Sequence, residues 1–361
     1  MPAAGQGPHP VKMRIVNLLD DVSLGGVTRA LGVFATPTLQ AVAESRTVAV
    51  APGGIMPPRD AADVFIIHFT VSWKRLLFLM LLRLTHRQAR IILVEHSYTR
   101  AFEAQFVRHR GRFRLMLRMA ARLVDAVVCV SHAQARWLGD AAAIAPDRIA
   151  VIHPYVANPG LVTVPLPQPD PGRPLRIGAY GRFCLQKGFD VVVRGFHAGH
   201  FGDAQLILGG FGEDEAQLRA LADGSPQIHF TGKVDDVAAF LAGVDVVAIP
   251  SRWEAYGMVA NEAREAGRPI LVAPCDGLPE QTAGAGGTQA RPAGLVVDFA
   301  DPAAIAGALA RLTPPALVAM GQAGRASTAD CGPARERQWA ALISRLGSAG
   351  RDQRVGNGAA R

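Results

Sequence analysis

Cysteine is scarce and widely scattered: Cys129, Cys184, Cys275 and Cys331 include no C-x-x-C pair. That excludes a secreted disulfide framework and a cysteine-based zinc site as organising features, and a reducing cytoplasm is the expected setting. Long apolar runs are also missing. The longest, residues 76–82, is far short of the roughly 18 residues of a membrane span. Residues 1–10 carry Pro, Gly and Ala without an apolar core, unlike a signal peptide. Aromatics make up only 6%, and no nucleic-acid-binding motif is recognisable, so a nucleic acid partner is not expected despite a net charge of +8. No internal period suggests a solenoid.

What is present is a chain of 361 residues, 49% hydrophobic, with Gly 38 and Pro 25. That length suits two domains, and the glycine and proline suit many strand–loop–helix corners. Short apolar runs at 13–18, 48–51, 64–69, 91–94 and 127–130 read as strands alternating with helical patterns, notably 106–124. Residues 154–174 hold seven prolines and read as an extended linker. Beyond it the alternation restarts, with strands at 175–179, 205–208, 228–231, 244–249, 270–273 and 295–297. The expected fold is α/β: two Rossmann-like, doubly wound domains facing a cleft, at 1–165 and 166–334. A helix at 335–348 is expected to pack back on the first domain, before a disordered tail at 349–361.

The charge is uneven. Residues 1–170 carry 19 Lys+Arg against 11 Asp+Glu, whereas residues 171–361 carry 19 against 19. Most of the excess lies in 73–122, with 12 basic and 2 acidic residues. A basic half on a neutral half points to an anionic partner for the first.

The chemistry concentrates in the second half. In VDVVAIPSRWEAYGMVANEAREAG (244–267) a buried strand ends at Pro250, a loop carries Glu254, and a helix holding Glu262 begins near Tyr256. In a doubly wound sheet, ligands bind at the carboxyl ends of strands, beside free helix amides. One carboxylate there can face sugar hydroxyls and the other can accept from a cis-diol; alternatively, both belong to surface ion pairing. Upstream, GRFCLQKG (181–188) follows a strand, and Arg182 and Lys187 across its loop can converge on a diphosphate or simply be solvated. LILGGFG (206–212) ends another strand in glycines, a weak signal alone, before the acids Glu213, Asp214 and Glu215. Those acids complement the helix dipole and argue against phosphate at that terminus.

Together, GRFCLQKG, LILGGFGEDEAQL, IHFTGKVDDVAAFLAGVDVVAIPS, the E-x7-E run EAYGMVANE, and CDGLPE followed by GLVVD resemble the retaining family 4 glycosyltransferases of the two-Rossmann (GT-B) fold over about residues 175–312. The resemblance implies that Arg182 and Lys187 bind the donor diphosphate, Glu262 holds the ribose and Glu254 touches the transferred sugar. It also implies that Tyr256, Gly257 and Met258 present amides to sugar and phosphate, and that Gly232, Lys233 and Val234 border the base. In the first half, Gly25 and Gly26 look like the family's glycine loop. His96, past a strand end, matches a histidine near the transferred sugar, with His68 a weaker candidate. The activity implied is transfer of a hexose from a nucleotide-diphosphate sugar to a glycan or lipid-linked acceptor, as in polysaccharide or glycolipid biosynthesis.

No cofactor or metal is expected, since no D-x-D motif lies in a suitable loop; Asp235 and Asp236 are adjacent and open a helix. A sugar-nucleotide epimerase of the same shape is the rival reading. On 106–124, Arg110, Arg114 and Arg118 form a ridge beside an apolar stripe. Either they are solvated, or this face meets an anionic membrane and the enzyme is peripheral on the inner face of the cytoplasmic membrane.

Overall fold

The computed structural model describes residues 12–20, 26–168, 170, 172–287 and 290–358, with the side chains of 26, 27 and 348–358 left out. The first domain runs β1 (Met13–Leu19), α1 (Gly26–Ala30), α2 (Pro37–Gln40), β2 (Ala43–Ala49), β3 (Val64–Ile67), α3 (Trp73–Thr85), β4 (Arg90–Glu95), α4 (Arg100–Phe106), α5 (Arg110–Leu123), β5 (Ala126–Cys129), α6 (His132–Ala142) and β6 (Ile149–Val151). The linker forms a single turn, α7 (Pro159–Val162). The second domain runs β7 (Arg176–Arg182), α8 (Phe189–His197), β8 (Gln205–Phe211), α9 (Glu215–Ala222), β9 (Ile228–Gly232), α10 (Val237–Ala242), β10 (Val246–Ile249), α11 (Met258–Glu265), β11 (Ile270–Val272), β12 (Gly294–Val296), α12 (Pro302–Arg311) and α13 (Pro314–Thr328). The last helix is α14 (Cys331–Gly358).

Each half is a six-stranded, all-parallel sheet, ordered β2-β1-β3-β4-β5-β6 and β12-β11-β10-β7-β8-β9. Parallel crossovers place helices on both faces, which is why central strands such as VFII of β3 are apolar at every position and fully buried. Each such side chain is worth about 1.5–3 kcal/mol of burial. The strand order reverses between β1 and β3 in one sheet and between β7 and β10 in the other. These switch points are where a doubly wound sheet opens a crevice for a ligand.

Four expectations shift. The strand expected at 48–51 is β2, whose polar edge sequence AESRTVA gives no apolar run. The edge strand β6, only three residues long, was not foreseen. The helix expected at 106–124 begins only at Arg110: Phe106 is the last residue of a separate helix, α4, and the chain between them passes through an extended Val107. Finally, α14 runs to Gly358, through residues expected as a disordered tail. Its Trp339, Leu342 and Ile343 pack with Ile15, Val64 and Ile92 of the first sheet. Arg335 donates to the carbonyls of Tyr155 (2.6 Å) and Ala30 (2.5 Å).

Candidate active site

At the switch point of the second sheet, β7 and β10 deliver charged residues to one place. After β7 the chain turns through Cys184–Lys187 into Gly188, at φ 64°, where a Cβ would collide with the Pro250 carbonyl beyond β10. Glycine therefore lets the two loops close on each other. Lys187 Nζ then meets Glu254 Oε2 at 2.5 Å, with Ser251 donating to the same oxygen at 3.3 Å. Glu262, on α11, accepts from the Tyr180 hydroxyl on β7 at 2.7 Å. Burial pushes the Glu262 carboxyl up, opposed by Tyr180 and by the charges of Arg29 and Lys187. Gly257, at φ 93°, caps α11; Ala260 donates to the Gly257 carbonyl at 3.0 Å, and the amides of Met258 and Val259 before it have no helical acceptor. A side chain at 257 would strike Leu278. One cation, two carboxylates and free amides thus gather at the switch point, a set suited to an anionic ligand bearing hydroxyls.

In the first domain, His96 follows β4 and His68 follows β3. His68 Nδ1 lies 3.4 Å from His96 Nε2, and His68 Nε2 lies 3.0 Å from Asn17 Oδ1. Asn17 itself donates to Ser45 Oγ at 2.8 Å. Because the Asn17 oxygen only accepts, His68 carries its proton on Nε2 and accepts on Nδ1. His96 therefore donates from Nε2 and keeps its Nδ1 lone pair. Burial, then Arg335, lowers the His96 pKa to about 4. His68 is held well below its usual value by burial, then by His96 and Arg335. Both rings are neutral at pH 7.

The second domain caps two helices of the first. Asp276 accepts the Ala101 amide of α4 at 3.0 Å and the Glu254 amide at 3.2 Å. Glu280 accepts the amides of His132 (3.0 Å) and Ala133 (2.7 Å) at the start of α6. Carboxylates at helix N-termini satisfy orphan amides and oppose the positive dipole end. Trp253 lies against Phe106, with ring centroids 4.6 Å apart, and Gln105 donates to the Arg252 carbonyl.

Two family models match this chain: "Glycosyl transferases group 1" over residues 174–313 and "Glycosyltransferase Family 4" over residues 59–158. The chain belongs to the family 4 glycosyltransferases of the GT-B fold. A D-inositol 3-phosphate glycosyltransferase of Acidothermus cellulolyticus is 30% identical over 219 residues, covering 54% of this chain and 46% of that protein. A GDP-mannose-dependent monoacylated alpha-(1-6)-phosphatidylinositol monomannoside mannosyltransferase of Corynebacterium glutamicum is 35% identical over 136 residues, 34% of each chain. The matches thus span about half or less of these relatives' lengths. Among solved structures, Anabaena HepE in complex with UDP-glucose has a TM-score of 0.68 at 17% identity, over 92% of this chain and 99% of that one. At that identity the likeness concerns the fold.

Within this family frame, the structure brings Lys187, Glu254, Tyr180 and Glu262 together. Arg182 ends β7, exposed and without an ion pair among the described residues. Gly232 closes β9 at φ 73°; Lys233 pairs with Asp235, and Val234 packs against Gly209 and the core. Tyr256 is buried, and Met258 packs beside it. Gly26 opens α1, while Gly25 lies outside the described residues. The arginine ridge needs correction. Arg114 forms a two-pronged ion pair with buried Glu103 (2.6 and 3.0 Å), which also accepts from Trp137, and Arg110 donates to the Ala104 carbonyl; of the three, Arg118 remains exposed and unpaired among the described residues. Sequence reasoning missed Tyr180, Asp276 and Glu280. Asp276 and Glu280 carried a signal, as parts of CDGLPE (275–280), whereas Tyr180 carried none.

Proposed function

We propose that this chain is a metal-independent, retaining hexosyltransferase that moves a hexose from a nucleotide-diphosphate sugar to a glycan or lipid-linked saccharide. The observation that carries the reading is the convergence of Lys187, Glu254 and Glu262 at the switch point of the second sheet. Lys187, Arg182 and the first amides of α11 face the diphosphate. Glu262 takes the ribose diol, Glu254 a hydroxyl of the hexose, and the turn at Gly232, Lys233 and Val234 borders the base. As the bond from the anomeric carbon to the phosphate oxygen breaks, negative charge grows on that oxygen, where fixed cations and amides stabilise it most. The leaving phosphate accepts the acceptor's proton, so no separate protein base is required. His96, neutral and held by His68, borders the hexose from the first domain.

The names of the two curated relatives, one inositol phosphate and one phosphatidylinositol mannoside, support an acceptor that is phosphorylated or lipid-borne. A membrane-facing surface supports the second. On α3, Trp73, Leu77, Met80 and Leu84 are exposed, and on the adjacent α5 so are Leu115 and Met119. Lys74, Arg112, Arg118 and Arg122 are exposed beside them. Surface cations contribute about 1 kcal/mol each near anionic lipid. The enzyme then works as a peripheral protein on the inner face of the cytoplasmic membrane, in glycolipid or cell-surface polysaccharide synthesis.

The test is a panel of nucleotide sugars with candidate acceptors, scored for free nucleotide diphosphate. Release that depends on acceptor supports transfer; an epimerised donor without acceptor would overturn it. For the surface, co-sedimentation with anionic vesicles at low salt should fall when Leu77 and Met80 are replaced by Ser; unchanged binding would remove it.

A further inference from the structure

His132, His153 and Glu280 each offer one ligand atom, and these atoms lie within 4.8 Å of one another. His132 is the first residue of α6 and His153 follows β6, both in the first domain; Glu280 sits in the turn Pro279–Thr282 of the second. Each is prepared for a cation. His153 Nδ1 lies 2.9 Å from the Val130 carbonyl. A carbonyl only accepts, so Nδ1 bears the proton and the Nε2 lone pair is free, the arrangement that backs most metal-binding histidines. Tyr256 stacks on that ring at 5.1 Å and 22°, fixing its plane. Burial holds His153 below its ordinary pKa, keeping it neutral at pH 7. His132 is exposed, with its ring 5.5 Å from that of His153. Glu280 accepts one amide on each oxygen, and each oxygen retains a second lone pair. Its carboxylate already answers the positive end of α6, so an approaching cation meets an anionic site.

We propose that His132, His153 and Glu280 bind a zinc-class divalent ion that links the two domains and slows turnover. Two imidazoles and a carboxylate with room for water suit zinc, whereas magnesium and calcium require oxygen ligands throughout. The ion adds coordinate bonds where Glu280 and the start of α6 now share only hydrogen bonds. It also fixes His153 against Tyr256, next to Gly257 and the start of α11. Its inhibitory effect rests on the transferase reading, in which the cleft must open to exchange substrates; the site itself does not. None of the three residues pairs with Lys187, whose partner is Glu254; on the transferase reading the ion acts on the opening of the cleft and so opposes turnover.

Metal-stripped full-length chain is titrated with Co²⁺. One equivalent should give the visible absorption of a four-coordinate ion, bleached by Zn²⁺. His132→Ala, at an exposed position, should weaken Co²⁺ binding by more than about tenfold with unchanged melting temperature and unchanged metal-free turnover. Stoichiometric Zn²⁺ should inhibit the wild type, and the variant should escape. Absence of the absorption band, or equal affinity in His132→Ala, would overturn the site. Undiminished turnover with zinc bound would overturn the brake. Were the chain to transfer no sugar at all, the Co²⁺ titration would still decide the site.

Discussion

Replacing Lys187 with Met keeps most of the side chain's length and apolar stem while removing its charge. Lys187 is 23% exposed, and its partner Glu254 is 12% exposed. A charge-assisted hydrogen bond to the donor diphosphate contributes about 1.5–3 kcal/mol. At 1.36 kcal/mol per tenfold, that is roughly a 10- to 150-fold loss in kcat/KM for the donor. Glu254, stripped of its cation, would add repulsion against the phosphates, placing the loss toward the upper end. If the cation acts mainly on charge that develops as the phosphate leaves, kcat falls more than KM rises. Initial rates of acceptor-dependent nucleotide release separate the two. Arg337→Ala is the control: its pair with Asp330 is 61% and 66% exposed, so it should leave the rates alone and cost under about 1 kcal/mol of stability. A Lys187→Met enzyme that melts like the wild type and keeps kcat/KM within about threefold would refute the diphosphate assignment.

Glu262→Ala should lower kcat/KM for the donor by a similar 10- to 150-fold, read in the same assay, with full activity counting against its ribose role. Turnover should survive EDTA; loss on chelation, restored by Mg²⁺ or Mn²⁺, would contradict metal independence. Arg114→Ala should cost about 1–3 kcal/mol in chemical denaturation, because Glu103, 4% exposed, would keep only Trp137, while the 43% exposure of Arg114 discounts the full buried-pair penalty. Since His96 titrates near pH 4 in the folded chain and near 6.5 unfolded, the folded state binds fewer protons between those values. Stability present above pH 6.5 is therefore lost as pH falls toward 4, by at most about 3 kcal/mol from this group. Melting curves of His96→Gln should show a shallower fall over that window than the wild type; identical slopes would exclude the effect.

Runs of apolar residues at strand length, punctuated by glycine and proline, were enough to specify two parallel α/β sheets. A strand buried on both faces must be apolar throughout, and that pattern survives in one dimension. The residues proposed to contact the donor could be located for a related reason: Lys187 and Glu254 lie in loops directly after strands and Glu262 in the helix that follows, where local sequence fixes position. Elements that bury little left less: β2 showed only at its last residues, 48–49, and β6 not at all. The break between α4 and α5 was hidden because Phe106 continues the helical stripe of α5 in sequence, yet packs on Trp253 of the other domain. Arg114 looked like one of a row of exposed cations until folding put a buried carboxylate under it. Tyr180 beside Glu262, Asp276 and Glu280 on the helix starts of the first domain, and Asn17 behind His68 and His96 pair residues 28 to 175 positions apart. Local propensity and periodicity carry no record of such distances. Only the packing of two sheets against each other decides which of these groups meet.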